Sequence, residues 1–203
     1  MRKMRVNETF VSLQGEGYFT GTPAFFLRLS GCNLQCPFCD THHQSFTEMS
    51  EEEIVEEASL HEPRHIVITG GEPALQLTPS LIDKLHEAGF FIQVETNGTL
   101  PLPDGIDWVT CSPKGQTPSN FPLKGENLKI DELKVLFMGD GTDPEVLTSP
   151  LLGEGSGVRL YLQPLDTGDE MRNRIILRDA IAYVMQHPKW RLSLQTHKLL
   201  GIK

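Results

Sequence analysis

Short apolar runs recur along this chain at 25–29, 65–69, 91–95, 108–111, 133–137 and 158–162, with turn residues or helix-patterned stretches between them. Mostly apolar runs of this length suit strands of a sheet covered on both faces. Helices are predicted where capping chemistry precedes an apolar stripe. Ser50 and Glu53 form a capping-box pair ahead of Ile54, Val55 and Ala58. Thr78 and Pro79 open a second helix whose Leu81, Ile82 and Leu85 share one face before Gly89 ends it. A third is predicted over about 170–187, stopped by Pro188. Alternating strands and helices require crossover connections, and so a largely parallel sheet. The six runs fall short of a closed eight-stranded barrel, which takes about 250 residues, in a chain of 203. The expected fold class is therefore α/β, an incomplete TIM-like barrel of mostly parallel strands, built as one domain over 1–203. No internal repeat interrupts it. The stretch 112–127, with Pro113, Gly115, Pro118, Pro122 and Gly125, reads as a mobile loop rather than a domain linker.

Charge and hydropathy narrow the partners. The net charge of −9 is spread widely, with its one dense cluster at Glu51, Glu52, Glu53, Glu56 and Glu57, so a phosphate backbone would be repelled and no nucleic acid is expected. No window approaches the roughly 18 apolar residues of a membrane span, and the basic start MRKMRVNETF has no apolar stretch behind it. A cytoplasmic protein with no membrane partner is expected.

The cysteines carry the chemistry. SGCNLQCPFCDT, at 30–41, places Cys32, Cys36 and Cys39 just after the first apolar run, at the carboxyl end of a predicted strand, where barrel active sites are built. Disulfides among them would close very small loops and leave an odd thiol. Clustered thiols in a reduced chain suggest zinc or iron–sulfur. A structural zinc would recruit a fourth ligand, and His42 or His43 is near enough to supply one. A cubane held by three thiolates instead keeps one iron open. Cys111, within a predicted strand, reads as a small buried side chain.

The C-x-x-x-C-x-x-C spacing with Phe38 before the last cysteine resembles the signature of the radical S-adenosylmethionine enzymes. That resemblance implies a [4Fe-4S] cluster on Cys32, Cys36 and Cys39, with S-adenosyl-L-methionine on its open iron as the source of a 5′-deoxyadenosyl radical. Thr69-Gly70-Gly71-Glu72-Pro73, after the second run, supports it: paired glycines let backbone approach a ligand, and a carboxylate can face an ammonium group. By the same resemblance Phe38, Cys39, Asp40, Gly70, Gly71, Glu72, Gly98, Ser112, Pro113 and Lys114 would form the cofactor pocket.

Three further segments, FVSLQGEG at 10–17 with GTPA at 21–24, CDT at 39–41, and LQTHK at 194–198, together resemble the 7-carboxy-7-deazaguanine synthase family over the whole chain. The resemblance implies an abbreviated radical barrel that converts 6-carboxy-5,6,7,8-tetrahydropterin to 7-carboxy-7-deazaguanine with release of ammonia, on the route to queuosine. It also implies Mg²⁺, held at Thr41, a homodimer, and an electron donor such as flavodoxin or ferredoxin. Leu13, Gln14, Gly15, Glu16, Arg28 and Thr96 would meet the pterin, with Gln195 and His197 contacting or supporting it. The residue types agree, since amide and carboxylate side chains can pair with a pterin edge and a guanidinium can fork onto its carboxylate. Two other readings stay open: a glycyl-radical activating enzyme, which shares the triad but acts on a protein backbone, and a non-enzymatic zinc or iron–sulfur module.

Overall fold

The computed structural model describes residues 3–39, 41, 45–114, 129–148 and 157–203. Asp40, His42, His43 and most of the 112–127 stretch lie outside them.

Among the described residues nine strands form one sheet: β1 (Met4–Leu13), β2 (Pro23–Leu29), β3 (Thr47–Met49), β4 (His65–Gly70), β5 (Phe91–Thr96), β6 (Trp108–Cys111), β7 (Glu132–Phe137), β8 (Arg159–Pro164) and β9 (Trp190–Leu192). Their spatial order is β3-β1-β2-β4-β5-β6-β7-β8-β9, so the sheet stays open between β3 and β9. From β2 to β9 every neighbouring pair is parallel, while β1 runs antiparallel to both β2 and β3. The expected incomplete, mostly parallel barrel is what forms. Three strands have no apolar run to announce them. β1 is half exposed and carries Asn7, Glu8, Thr9 and Ser12, and β3 and β9 are three residues each.

The α-helices among the described residues are α1 (Glu51–Ser59), α2 (Pro79–Glu87), α3 (Pro144–Thr148), α4 (Glu170–Gln186) and α5 (Thr196–Leu200). The Ser50–Glu53 capping box is present, and Thr78 Oγ1 accepts the Leu81 N–H at the start of α2. α4 ends one residue before the sequence reading placed it, at the His187 cap.

Strand parity sorts side chains to two faces. Phe25, Leu27, Ile66, Ile68, Ile92 and Val94 pack on Ile54, Leu81, Ile82 and Leu85 of α1 and α2. Leu133, Val135, Leu160 and Leu162 form a second cluster with Ala180 of α4 and Trp190 of β9. The alternate positions, Arg28, Thr69, Glu95, Lys134 and Gln163 among them, line a single cleft. Runs that look uniformly apolar in the sequence thus present an apolar face to the helices and a polar one to the cleft.

The β1–β2 connection, residues 14–22, is pinned by aromatic packing at the amino ends of the parallel strands. Tyr18 stacks on Trp108 at 4.8 Å, and Phe19 meets His65, Trp108 and Phe91 edge-on at 4.7, 4.9 and 5.5 Å. The Arg159 guanidinium carbon lies 4.7 Å from the Tyr18 ring and 5.0 Å from the Trp108 ring, within cation–π range. These contacts fix the loop that carries Gln14 and Glu16.

Candidate active site

A cleft of about 650 Å³ opens on the sheet face away from α1 and α2. The loop leaving β2 brings Cys32, Cys36, Phe38, Cys39 and Thr41 to its wall, and the carboxyl ends of β4, β5 and β6 with the turns after them bring Gly70, Gly71, Thr96, Ser112 and Lys114. Leu13, Gln14, Gly15, Glu16, Arg28, Gln195 and His197 line the same cleft. Glu72, Gly98 and Pro113 lie outside its lining, and Asp40 lies outside the described residues.

The cysteine loop is held by backbone. Gly71 N–H donates to Leu29 O at 3.0 Å and Glu72 N–H to Gly31 O at 2.9 Å, so the turn after β4 is laced to the loop after β2. A Cβ on Gly71 would collide with the Gly31 carbonyl, and one on Gly70 with Leu29 backbone. Both glycines are therefore required by the close approach of two chain segments, whatever ligand they also meet. Gln76 adds a side-chain brace by donating to Ser30 O and accepting from Arg5 N–H, each at 2.8 Å.

Glu72 is fully buried. Its carboxylate accepts from Thr96 Oγ1 at 2.7 Å, Asn97 N–H at 2.8 Å and Ala74 N–H at 3.0 Å. Burial raises its pKa in spite of those donors. Asn97 then reaches across to Asn33 Oδ1 at 3.0 Å, and Asn33 donates to Thr99 Oγ1 at 2.7 Å. Side-chain bonds thereby tie the three turns that follow β2, β4 and β5 into one unit.

The opposite wall is a charged network. Lys134 Nζ lies 2.5 Å from Glu16 Oε2 and 3.4 Å from Glu95 Oε2. Gln14 Nε2 donates to Glu95 Oε1 at 3.1 Å, and Gln195 Nε2 to Glu16 Oε1 at 3.0 Å. Burial would raise the Glu16 carboxyl, but the Lys134 charge and hydrogen bond overcome it and hold it well below the usual carboxylate range. Thr196 donates through both N–H and Oγ1 to Gly15 O, at 3.0 and 2.9 Å, which seats the LQTHK segment on the LQGEG loop. Arg28 pairs with Glu8 at 3.0 Å at the cleft edge, and Glu8 also takes Lys203 at 2.5 Å.

The sequence reading did not assign Lys134, Glu95 or Asn97, all of which line the cleft. A lysine inside the apolar run LKVLF was the available signal, since parity sends it away from Leu133 and Val135. Cys111 is fully buried, and burial pushes its thiol up to about 12, as suits a packing residue rather than a ligand.

Residues 27–115 match the Radical SAM superfamily. Across the full length of both chains, this chain is 48% identical to the 7-carboxy-7-deazaguanine synthase of Bacteroides thetaiotaomicron. The chain belongs to the 7-carboxy-7-deazaguanine synthase family. The Bradyrhizobium diazoefficiens synthase is 39% identical over 98% of each chain. The crystal structure of QueE from Escherichia coli superposes with a TM-score of 0.74 and 31% identity, covering 95% of this chain and 93% of that one. As a 7-carboxy-7-deazaguanine synthase family member, the chain is an enzyme of the radical S-adenosylmethionine class with a role in 7-deazapurine biosynthesis.

The cysteine loop suits an iron–sulfur group by its donors. Three thiols face the cleft from one loop, and Leu34 N–H points at Cys32 Sγ at 3.4 Å, the kind of backbone donor that supports a thiolate ligand. Among the described residues, no three His, Cys, Asp or Glu side chains gather as a single-ion site. Burial pushes the Cys36 thiol up, with the nearby Lys114 charge opposing it.

Proposed function

We propose that this chain converts 6-carboxy-5,6,7,8-tetrahydropterin to 7-carboxy-7-deazaguanine with release of ammonia. One observation carries the reading: a single cleft is walled on one side by the cysteine triad and on the other by the Gln14, Glu16, Glu95 and Lys134 network. Cofactor and pterin would therefore meet in one chamber.

Cys32, Cys36 and Cys39 would hold a [4Fe-4S] cluster. When bound, it supplies the electron that cleaves S-adenosyl-L-methionine to a 5′-deoxyadenosyl radical. Phe38, Gly70, Gly71, Ser112 and Lys114 would line the cofactor's seat, with Asp40, Gly98 and Pro113 beside it by family resemblance. Glu72 would stiffen that seat through Thr96 and Asn97, because its carboxylate oxygens are already engaged by their donors. On the other wall, Leu13, Gln14, Gly15 and Glu16 would take the pterin edge, supported by Thr96, Gln195 and His197. Arg28 would turn its guanidinium from Glu8 to the substrate carboxylate, an exchange of one carboxylate partner for another. The hydroxyl of Thr41 would serve Mg²⁺, a hard ion that takes few protein oxygens and keeps several waters.

We further propose that the chain works as one domain over 1–203, as a homodimer, in the cytoplasm, with flavodoxin or ferredoxin as its electron donor. Four cysteines outside any disulfide, Cys32, Cys36, Cys39 and Cys111, suit a reducing compartment, and no helix among the described residues is long and apolar enough to cross a membrane.

Paired variants test the two walls. Cys36→Ala is expected to abolish both iron-dependent colour and S-adenosyl-L-methionine cleavage. Arg28→Ala is expected to lower pterin turnover by about a hundredfold or more while uncoupled cofactor cleavage persists. Full cleavage in the cysteine variant, or equal loss of both activities in the arginine variant with an intact fold, would contradict the assignment.

A further inference from the structure

Lys134 projects from β7 into the cleft with its side chain 6% exposed. Its Nζ reaches Glu16 on the β1–β2 connection and Glu95 on β5. Gln14 closes the circuit, since Nε2 donates to Glu95 Oε1 at 3.1 Å and Oε1 accepts Glu16 N–H at 3.2 Å. The result is a ring of four side chains from three segments that meet only in the fold.

Such a ring has a chemical purpose beyond burial. Two carboxylates facing one enclosed space repel, and each would tend to take up a proton unless a cation stands between them. A neutral carboxyl exposes an O–H, whereas an ionised one only accepts. Glu16 and Glu95 each spend two acceptor positions on the ring and Gln195, leaving about two apiece for a ligand. A tetrahydropterin is rich in N–H donors along its pyrimidine edge, so an acceptor-only wall is the complementary surface.

We propose that Lys134 is a positioning residue for the pterin, fixing Glu16 and Glu95 in orientation and charge so that the two carboxylates form one acceptor wall for the substrate's N–H groups. This deepens the functional reading above and rests on it. The titratable and charged groups around the ring are Glu132, two residues away on β7, and His197, whose charge acts on Glu16. Burial pushes the Glu132 carboxyl up and the Lys134 charge opposes that rise, so Glu132 competes least for Lys134 on the acidic side.

Replacing Lys134 by Met keeps the length and removes the charge. In the reconstituted enzyme, Lys134→Met is expected to raise the KM for 6-carboxy-5,6,7,8-tetrahydropterin by about tenfold or more, and to move the acidic limb of kcat/KM upward by about one pH unit or more. Lys134→Arg keeps the charge, so its acidic limb is expected to stay at the wild-type position. A merely structural lysine would change the stability of both variants and move neither limb. A Lys134→Met enzyme with wild-type KM and pH profile overturns the proposal, as do limbs that move equally in both variants. Wild-type enzyme that fails to turn over the pterin would instead remove the functional reading. The hold of Lys134 on the carboxylates is then read apart from the pterin by a substrate-free measurement, which also serves if the Met variant does not fold. With glutamate labelled by ¹³C at the carboxyl, the wild-type Glu16 signal is expected to show no titration step down to about pH 4, and a midpoint at or above the ordinary glutamate value near 4.3 overturns it.

Discussion

Glu132 shows how a single residue couples the site to stability. It is 1% exposed and accepts the Tyr18 N–H at 3.0 Å, and Gly17, whose φ is 65°, passes so close that a Cβ there would strike its carboxylate. Burial pushes its pKa up to about 7, with the Lys134 charge and the Tyr18 N–H working against that rise. A carboxyl whose folded pKa exceeds its unfolded one stabilises the fold below the unfolded value, and that stability is lost as pH rises through the folded value. The loss across this window is at most about 4 kcal/mol. Wild-type melting temperature is expected to fall between about pH 5 and about pH 8, and Glu132→Gln to show a shallower fall. Equal slopes in thermal melts at matched ionic strength would show that another group carries the dependence. Residues of this kind were hard to read in sequence. The cysteines, the paired glycines and the QGEG loop announce themselves by spacing, whereas Glu95, Glu132 and Lys134 sit inside or beside apolar runs whose partners come from distant segments.

Secondary elements were legible where their chemistry is local. The capping box of α1, the Thr78 cap of α2 and the long α4 follow from residues a few positions apart. β1, β3 and β9 were not legible, since their backbone bonds are completed by distant strands and their side chains carry no continuous apolar face. The turn after β4 belongs to the same scale. Its glycines read as ligand-approach residues, but the structure gives them a second duty, leaving room for the cysteine loop. Gly71→Ala places a Cβ against the Gly31 carbonyl and the Cys32 N–H, where backbone cannot yield. Iron content after anaerobic reconstitution is expected to drop severalfold, with a stability loss of about 1–3 kcal/mol. Gly21→Ala is the control: its φ of 88° makes the change strained, at about 1–2 kcal/mol, but nothing lies within 4 Å of the new Cβ. It is expected to load iron normally. Equal iron loading in both variants would show that the approach of the two segments does not hold the cluster loop in place.

At the scale of the whole molecule, the open sheet decides what the chain can do. A partial barrel leaves a cleft instead of a packed interior, and residues 14–16 and the segment around α5 come in to wall it. The polar interior Gln14, Glu16, Arg28, Glu95 and Lys134 would be costly in a closed core, and here each charge is paired beside accessible space. On the proposed function, this cleft brings the radical source and a pterin together for ring contraction. The most direct test is anaerobic reconstitution with iron and sulfide, incubation with S-adenosyl-L-methionine, a reductant and 6-carboxy-5,6,7,8-tetrahydropterin, and mass analysis of the products. The expected products are 7-carboxy-7-deazaguanine and ammonia in equal amounts, formed only when S-adenosyl-L-methionine and the pterin are both present. A brown, cluster-loaded protein that cleaves S-adenosyl-L-methionine and leaves the pterin unchanged would contradict the proposed function.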